Sequence, residues 1–264
     1  MNFSDQTVWI TGASSGIGES LAHQFAESGA NLILSARNEE KLNKIAREIG
    51  TDQAKVLPLD MSEVSELEQK TKLAINLFGS VDILINNAGI SQRGSVEETD
   101  FSVDRKIMEV NYFGNIYLTK QILPHFIERG KGRVVVVSSI AGKLAPPFRS
   151  AYAASKHALH GWYDAFRAET ADKNIQVHTI CPGYIRTNIS LNALNHEGSK
   201  HGVMDEGQAK GLSADECAAQ IIQAIKKDKR ETFIGKEKWF LTVKNLLPGL
   251  YHKLLNKRAR DRRF

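Results

Sequence analysis

The sequence predicts an α/β fold: one doubly wound parallel sheet of about seven strands with helices on both faces, occupying residues 1–235. Three observations predict it. The candidate strands are continuous Val/Ile/Leu runs with little alternation, the pattern of strands buried on both faces. They alternate with segments of helical periodicity, which implies right-handed βαβ crossovers. A glycine-rich turn stands between the first strand and the first helix.

Taken in order, 7–10 is a buried strand running into Thr11-Gly12, and 19–28 is a helix stopped by Gly29. Residues 31–35 are a strand, and 39–49 a helix ended by Gly50. Next come a strand at 55–59, a helix at 62–78 with Ser62 as its cap, and a strand at 81–86. A single long helix is expected over 100–129, disturbed near Pro124. A four-valine strand at 132–138, a helix at 150–172, a strand at 175–181, a helix at 213–227 and a short strand at 231–234 complete the set. Residues 188–211 lack strong periodicity and carry five Gly or Asn in their first fifteen positions, which predicts a mobile loop or lid.

The 264 residues are 42% apolar and 25% charged, the balance of a globular chain able to bury a large core. Two cysteines, Cys181 and Cys217, make no disulfide framework and suit a reducing compartment, with one bridge between them left open. No signal peptide or membrane span is seen, so a cytoplasmic location is expected. The net charge of +5 is uneven. Residues 236–264 hold nine Lys or Arg against Glu237 and Asp261, a net of +7, which leaves −2 for the first 235 residues. That body carries none of the basic charge that nucleic-acid binding needs.

The turn Thr11-Gly-Ala-Ser-Ser-Gly-Ile-Gly18 has the form of a phosphate cradle. Gly12 permits the tight turn, Gly16 leaves room for a pyrophosphate, and Gly18 lets the helix approach the strand. Ser14, Ser15 and Ile17 fill the turn, and the helix N-terminus offers unpaired N–H groups. At the end of the second strand, where an acid would hold the ribose hydroxyls of NAD, stand Ala36 and Arg37. No carboxylate repels a 2′-phosphate there, and a guanidinium can grip one with two hydrogen bonds, so NADP(H) is favoured over NAD(H).

Tyr152 and Lys156, four apart, share one helix face. A phenol of ordinary pKa, about 10, is a poor base at neutral pH, and a neighbouring ammonium favours its ionised form. Ser138-Ser139 ends the valine strand at the edge where parallel sheets present ligand-facing residues, and Ser139 can donate to a substrate oxygen. Asn86-Asn87-Ala88-Gly89 ends another strand at that edge, and Asn111 occupies a helix interior that disfavours it.

On these motifs, together with Pro182-Gly183 and Thr187, residues 5–235 resemble the short-chain dehydrogenase/reductase family, whose fold is of the Rossmann type. Ser139 rather than Ser138 matches by its distance before Tyr152. The resemblance implies an oxidoreductase that interconverts a carbonyl and a secondary alcohol. In that reading Tyr152 is the general acid or base, Ser139 polarises the substrate oxygen, and Lys156 binds the nicotinamide ribose and lowers the Tyr152 pKa. Asn111 holds a water in a proton relay. Asp60 contacts adenine, Asn87, Ala88 and Gly89 line the cofactor cleft, and Ile185 and Thr187 hold the carboxamide. The family also implies homodimers or homotetramers through the two long helices.

The extension 236–264 mixes Trp239, Phe240, Leu246, Leu247, Tyr251 and Leu255 with lysines and ends in Arg258, Arg260, Arg262 and Arg263. Pro248-Gly249 predicts two short helices. Such a segment fits an anionic membrane surface, or packs on the body or on a second subunit. Within the family the chain looks most like the membrane-associated dehydrogenase/reductases, without their N-terminal anchor, and this implies an apolar, lipid- or steroid-like ketone. The competing class is a cofactor-binding regulatory or scaffold protein with a membrane-adhering tail.

Overall fold

The computed structural model describes residues 3–261, so Arg262 and Arg263 lie outside the described residues. Seven parallel strands form the main sheet in the order β3-β2-β1-β4-β5-β6-β9. They are β1 (Thr7–Thr11), β2 (Asn31–Ser35), β3 (Ala54–Val56), β4 (Ile83–Asn86), β5 (Gly132–Val137), β6 (Ile175–Pro182) and β9 (Glu231–Ile234). A separate two-stranded parallel ladder pairs β7 (Ile185–Arg186) with β8 (Leu212–Ser213). Successive side chains leave the sheet on opposite sides. Val8, Ile10, Leu32, Leu34, Val135 and Val137 enter one core. Trp9, Ile33, Leu84, Val134 and Val136 enter the other.

Helices α1 (Gly16–Glu27), α2 (Glu39–Ile49) and α8 (Ala214–Lys226) cover the first face, through residues such as Phe25, Leu42 and Ile221. Helices α3 (Leu67–Phe78), α5 (Gly114–Glu128) and α6 (Ser150–Glu169) cover the second, through Ala74, Ile122 and Leu159. Burying each such aliphatic or aromatic side chain stabilises the fold by about 1.5–3 kcal/mol, which makes this two-sided core the main favourable term. The order of strands reverses between β1 and β4, so the crevice of the sheet opens at their carboxyl ends.

Several boundaries differ from those the sequence predicts. Helix α1 begins at Gly16, not at 19, because the glycine turn itself supplies the first turn. Ser62 caps no helix: its hydroxyl donates to Asp60 Oδ1 at 2.8 Å, and α3 starts only at Leu67 after a 3₁₀ turn over Val64–Glu66. The single helix expected over 100–129 is three pieces, α4 (Phe101–Met108), a π-helical turn (Glu109–Phe113) and α5. Asn115 Nδ2 takes up the carbonyls of Val110 and Asn111 that the π turn releases, at 3.1 and 2.8 Å. Segment 188–211 carries the short helix α7 (Glu206–Ala209) and is tied back by the bridge between Gln92 and Leu194. Cys181 and Cys217 are free and buried.

The tail forms the two expected helices, α9 (Trp239–Leu246) and α10 (Pro248–Arg260). They pack on the body. Tyr251 is buried and its hydroxyl accepts from Ala145 N at 3.3 Å, while Lys244 Nζ donates to Lys143 O at 2.5 Å.

A buried polar network ties β4 to α5 and α6. Asn86 Nδ2 donates to Thr119 Oγ1 at 2.8 Å and to Tyr163 Oη at 2.9 Å, and Thr119 Oγ1 donates to Asn115 O at 2.9 Å. Thr119→Val keeps the shape and removes the hydroxyl that several of these groups share. Leaving buried polar groups short of a partner costs about 1–3 kcal/mol. Urea unfolding of that variant is expected to show a loss in this range at an unchanged denaturant slope.

Candidate active site

Two connected spaces lie along the carboxyl edge of the sheet. The outer one, a cleft of about 540 Å³, runs past Gly12, Ser14, Ser15, Gly16 and Ile17 to Arg37, Asp60, Asn87, Ala88 and Gly89, and ends at Thr187. The inner one, a cavity of about 160 Å³, is lined by Ser139, Tyr152, Lys156, Pro182, Gly183 and Ile185. Ile17, Asn87, Gly89 and Thr187 belong to both walls. Of the residues expected from the sequence to be catalytic or cofactor-binding, Gly18 and Asn111 line neither space. Gly18 packs against the strand, where a Cβ would strike Gly12 O and stand 2.7 Å from Asn87 Nδ2. Asn111 is fully buried behind Gly89.

The local structure explains each placement. Gly16 holds φ +57°, and a Cβ there would sit 2.9 Å from Thr187 Cγ2, so the turn admits only glycine without strain. Asn87 donates from Nδ2 to Thr11 O at 3.0 Å and to Gly12 O at 3.2 Å, which locks the glycine turn to the end of β4. The bare turn, the free N-terminus of α1 and the exposed Arg37 form a concave, cationic-ended cleft that suits an elongated dinucleotide phosphate. Asp60 accepts from Ser62 N at 2.9 Å as well as from its hydroxyl. Burial alone would raise the Asp60 carboxyl; the Ser62 bonds, Arg37 and Lys106 overcome that and hold it below the usual carboxylate range.

In the inner cavity Tyr152 and Lys156 project from one face of α6. The Lys156 ammonium lies 5.9 Å from the centroid of the Tyr152 ring and donates to Val137 O at 2.9 Å. Ser139 hydrogen-bonds Tyr152 and also takes Ala141 N at 3.1 Å. The Ser138 hydroxyl is committed to Lys156 O at 3.1 Å and so fixes the turn that carries the lysine. Asn111 accepts Ile90 N at 2.8 Å and donates to Ile90 O and Ser155 Oγ at 2.9 and 3.0 Å, joining the π turn to α6.

Burial pushes the Tyr152 phenol above its ordinary value, and the Arg149 and Arg93 cations oppose this. Neither arginine was singled out from the sequence, although Arg93 follows Asn86–Gly89 by four residues and Arg149 precedes Tyr152 by three. The tail was also missed as part of the cavity: Phe240, Tyr251, Leu254, Leu255 and Arg258 form its outer wall.

Burial pushes the Lys156 ammonium down to about 8. Between pH 8 and about 10 the unfolded chain keeps this proton while the folded chain has released it, so stability from this position rises with pH in that window. Lys156→Met is therefore expected to be more stable than the unaltered chain at pH 7, by a margin that shrinks towards pH 10. Thermal melts of both proteins at pH 7 and 9.5, without added nucleotide, check this, and a constant margin contradicts it.

Comparison with known proteins agrees with this geometry. The family description "short chain dehydrogenase" matches residues 6–198. The mouse protein named dehydrogenase/reductase SDR family member 7B is 42% identical, aligned to 97% of this chain and 82% of its own length. A Drosophila melanogaster SDR family protein 7-like relative is 44% identical, over 96% of this chain and 80% of its own. A short-chain dehydrogenase structure from Streptomyces avermitilis superposes with a TM-score of 0.82 at 30% identity, covering 98% of both chains. An alcohol dehydrogenase from Thermococcus sibiricus, complexed with 5-hydroxy-NADP, superposes at 0.75 with 30% identity, covering 87% of this chain and 96% of its own. A Burkholderia phymatum family member in complex with NAD, at 21% identity and a TM-score of 0.81, shares the fold over 100% of this chain and 97% of its own. The chain belongs to the short-chain dehydrogenase/reductase family, oxidoreductases that use an NAD(P) cofactor on small molecules.

Proposed function

We propose that the protein is an NADP(H)-dependent oxidoreductase that interconverts a carbonyl and a secondary alcohol on an apolar, lipid- or steroid-like substrate. The observation that carries this reading is the convergence of Ser139, Tyr152 and Lys156 in one cavity whose walls continue into the glycine-lined cleft. Tyr152 gives its phenolic proton to the substrate oxygen in reduction and takes it back in oxidation. Ser139 donates a hydrogen bond to that oxygen and sets its distance from the phenol. Lys156 holds a ribose hydroxyl, and Asn111 orders a water that connects the lysine to solvent. The cofactor, when bound, supplies the hydride. Gly12, Ser14, Ser15, Gly16, Ile17 and Gly18 shape its phosphate site, Asp60, Asn87, Ala88 and Gly89 follow its length, and Pro182, Gly183, Ile185 and Thr187 bound its nicotinamide end.

Arg37 supports the preference for NADP(H): it is exposed at the end of β2, and Ala36 beside it carries no acid. Leu144, Pro146, Ile189, Phe240 and Leu254 support an apolar substrate, since they give the inner cavity a largely hydrocarbon wall. With a panel of ketones, NADPH oxidation by the purified protein is expected, and Tyr152→Phe should lower turnover by about 100-fold or more with NADPH binding retained. Arg37→Ala should weaken NADPH about tenfold and leave NADH unchanged in calorimetry. Tight NADPH binding without turnover on any carbonyl would favour a scaffold instead.

The tail supports a peripheral association with anionic membranes. No helix among the described residues is long and apolar enough to cross a membrane. Trp239, Leu246, Leu247 and Leu250 are nonetheless exposed among the basic residues of α9 and α10. Homo-oligomers would form through the helices that run from α4 to α6, where Phe113 and Ile127 remain exposed. Replacing Leu246 and Leu247 by Ser should reduce co-sedimentation with phosphatidylserine vesicles; unchanged sedimentation argues that the tail serves the cavity alone.

A further inference from the structure

Beside the catalytic tyrosine lies a buried charge cluster that no motif accounts for. Arg93 donates to both carboxylate oxygens of Asp205, from Nε at 3.2 and 3.1 Å and from Nη2. Its Nη1 is satisfied by Ser91 Oγ at 2.7 Å and Gln92 O at 2.6 Å. Arg149 Nη2 donates to the same Asp205 Oδ2 at 2.7 Å. Side-chain exposure is 1% for Arg93 and Asp205 and 12% for Arg149, so the three charges have little water around them. Two guanidinium groups and one carboxylate leave a net charge of +1.

Burying an odd charge is expensive, and a neutral pair would satisfy the same backbone. The surplus charge therefore calls for an anion in reach. Both arginines line the inner cavity together with Tyr152, and Arg149 stands at the N-terminal boundary of α6, one turn before the phenol. The cavity wall also carries the acidic side chain of Glu237, from the tail, and Tyr152 is the group there that the proposed chemistry turns into an anion. Lys156, the cation sought from the sequence, is turned towards Val137 O.

We propose that Arg149 and Arg93, gathered by Asp205, are positioning residues for the proton transfer: their shared surplus charge stabilises the phenolate of Tyr152. The electrostatic ordering agrees, since Arg149 and then Arg93 are the charges that draw the buried phenol downward. Asp205 comes from segment 188–211, whereas both arginines belong to the body, so the seating of that segment sets how much positive charge the phenol feels. The inference rests on the reading of Tyr152 as the acid–base group.

The test follows the phenol directly in the whole chain. Protein labelled with [ζ-¹³C]tyrosine and saturated with NADP⁺ is titrated by NMR, with the Tyr152 resonance assigned through Tyr152→Phe. Lys156 on α6, Tyr184 before β7, His201 in the loop and Glu237, Tyr251 and Arg258 in the tail also face the cavity or the cluster, and they are the same in every variant. Arg149→Met leaves a neutral Arg93–Asp205 pair and is expected to move the onset of Tyr152 ionisation up by about one pH unit. Arg149→Lys should restore most of that shift. Asp205→Asn removes the negative charge and should move the onset down. A purely structural role would move the two charge-removing variants the same way, or neither, and either result overturns the proposal. Should Asp205→Asn fail to fold, the Met and Lys variants decide alone: an onset unchanged in Met, or equally displaced in both, overturns it. Because the titration reads the phenol whether or not turnover occurs, an active Tyr152→Phe protein would sink the acid–base reading and leave this electrostatic result standing.

Discussion

The central strands β2, β1, β4 and β5 bury aliphatic or aromatic side chains on both faces of the sheet, and that constraint governs where chemistry can occur. Val8 and Ile10 point into one core and Trp9 into the other, so a polar side chain along β1 would be left without a partner in hydrocarbon. Polar groups are pushed to the carboxyl ends, where Thr11, Asn86, Ser138 and Ser139 emerge on neighbouring strands. The site is thus a by-product of a sheet with no other edge to spend, and its precision comes from the register of buried neighbours. Val136 opposite Asn86 and Val137 opposite Ile180 fix how far each strand end projects.

Hydrogen bonds then convert that edge into a rigid frame. Asn87 clamps the glycine turn, Ser138 holds the backbone of Lys156, and Asn111 bridges the π turn to Ser155. These contacts join three separate crossovers, so the cleft and the inner cavity keep a fixed relation to each other. Lys156 illustrates the balance of forces: burial drives its proton affinity down, and its bond to Val137 O fixes the ammonium on the wall of the inner cavity.

Much of this was legible in the residues alone. The apolar runs of β1, β2 and β5, the glycine turn and the spacing of Tyr152 from Lys156 are local signals, and local signals survive translation into structure. What was not legible depended on distance in the chain. At the π turn Glu109–Phe113 the Asn115 side chain takes up two carbonyls, an arrangement that helical periodicity does not encode. Ser62 looked like a helix cap and serves Asp60 instead, because the chain has not yet turned into α3 there. Arg93, Arg149 and Asp205 are separated by 56 residues at each step, and only the fold reveals that they meet. The tail could be read as amphipathic, yet its buried Tyr251 and its place over the cavity required coordinates.

That placement of α9 and α10 has a consequence for the order of assembly. Both helices follow β9, the last strand of the sheet, so all seven strands can pair and both hydrophobic cores can close while the chamber still stands open on one side. The glycine-lined cleft is built wholly from residues that precede β9, and the outer wall of the inner cavity comes from the segment after it. A polypeptide halted shortly after Ile234 would keep every strand of the sheet and lose that wall, leaving the chamber unroofed.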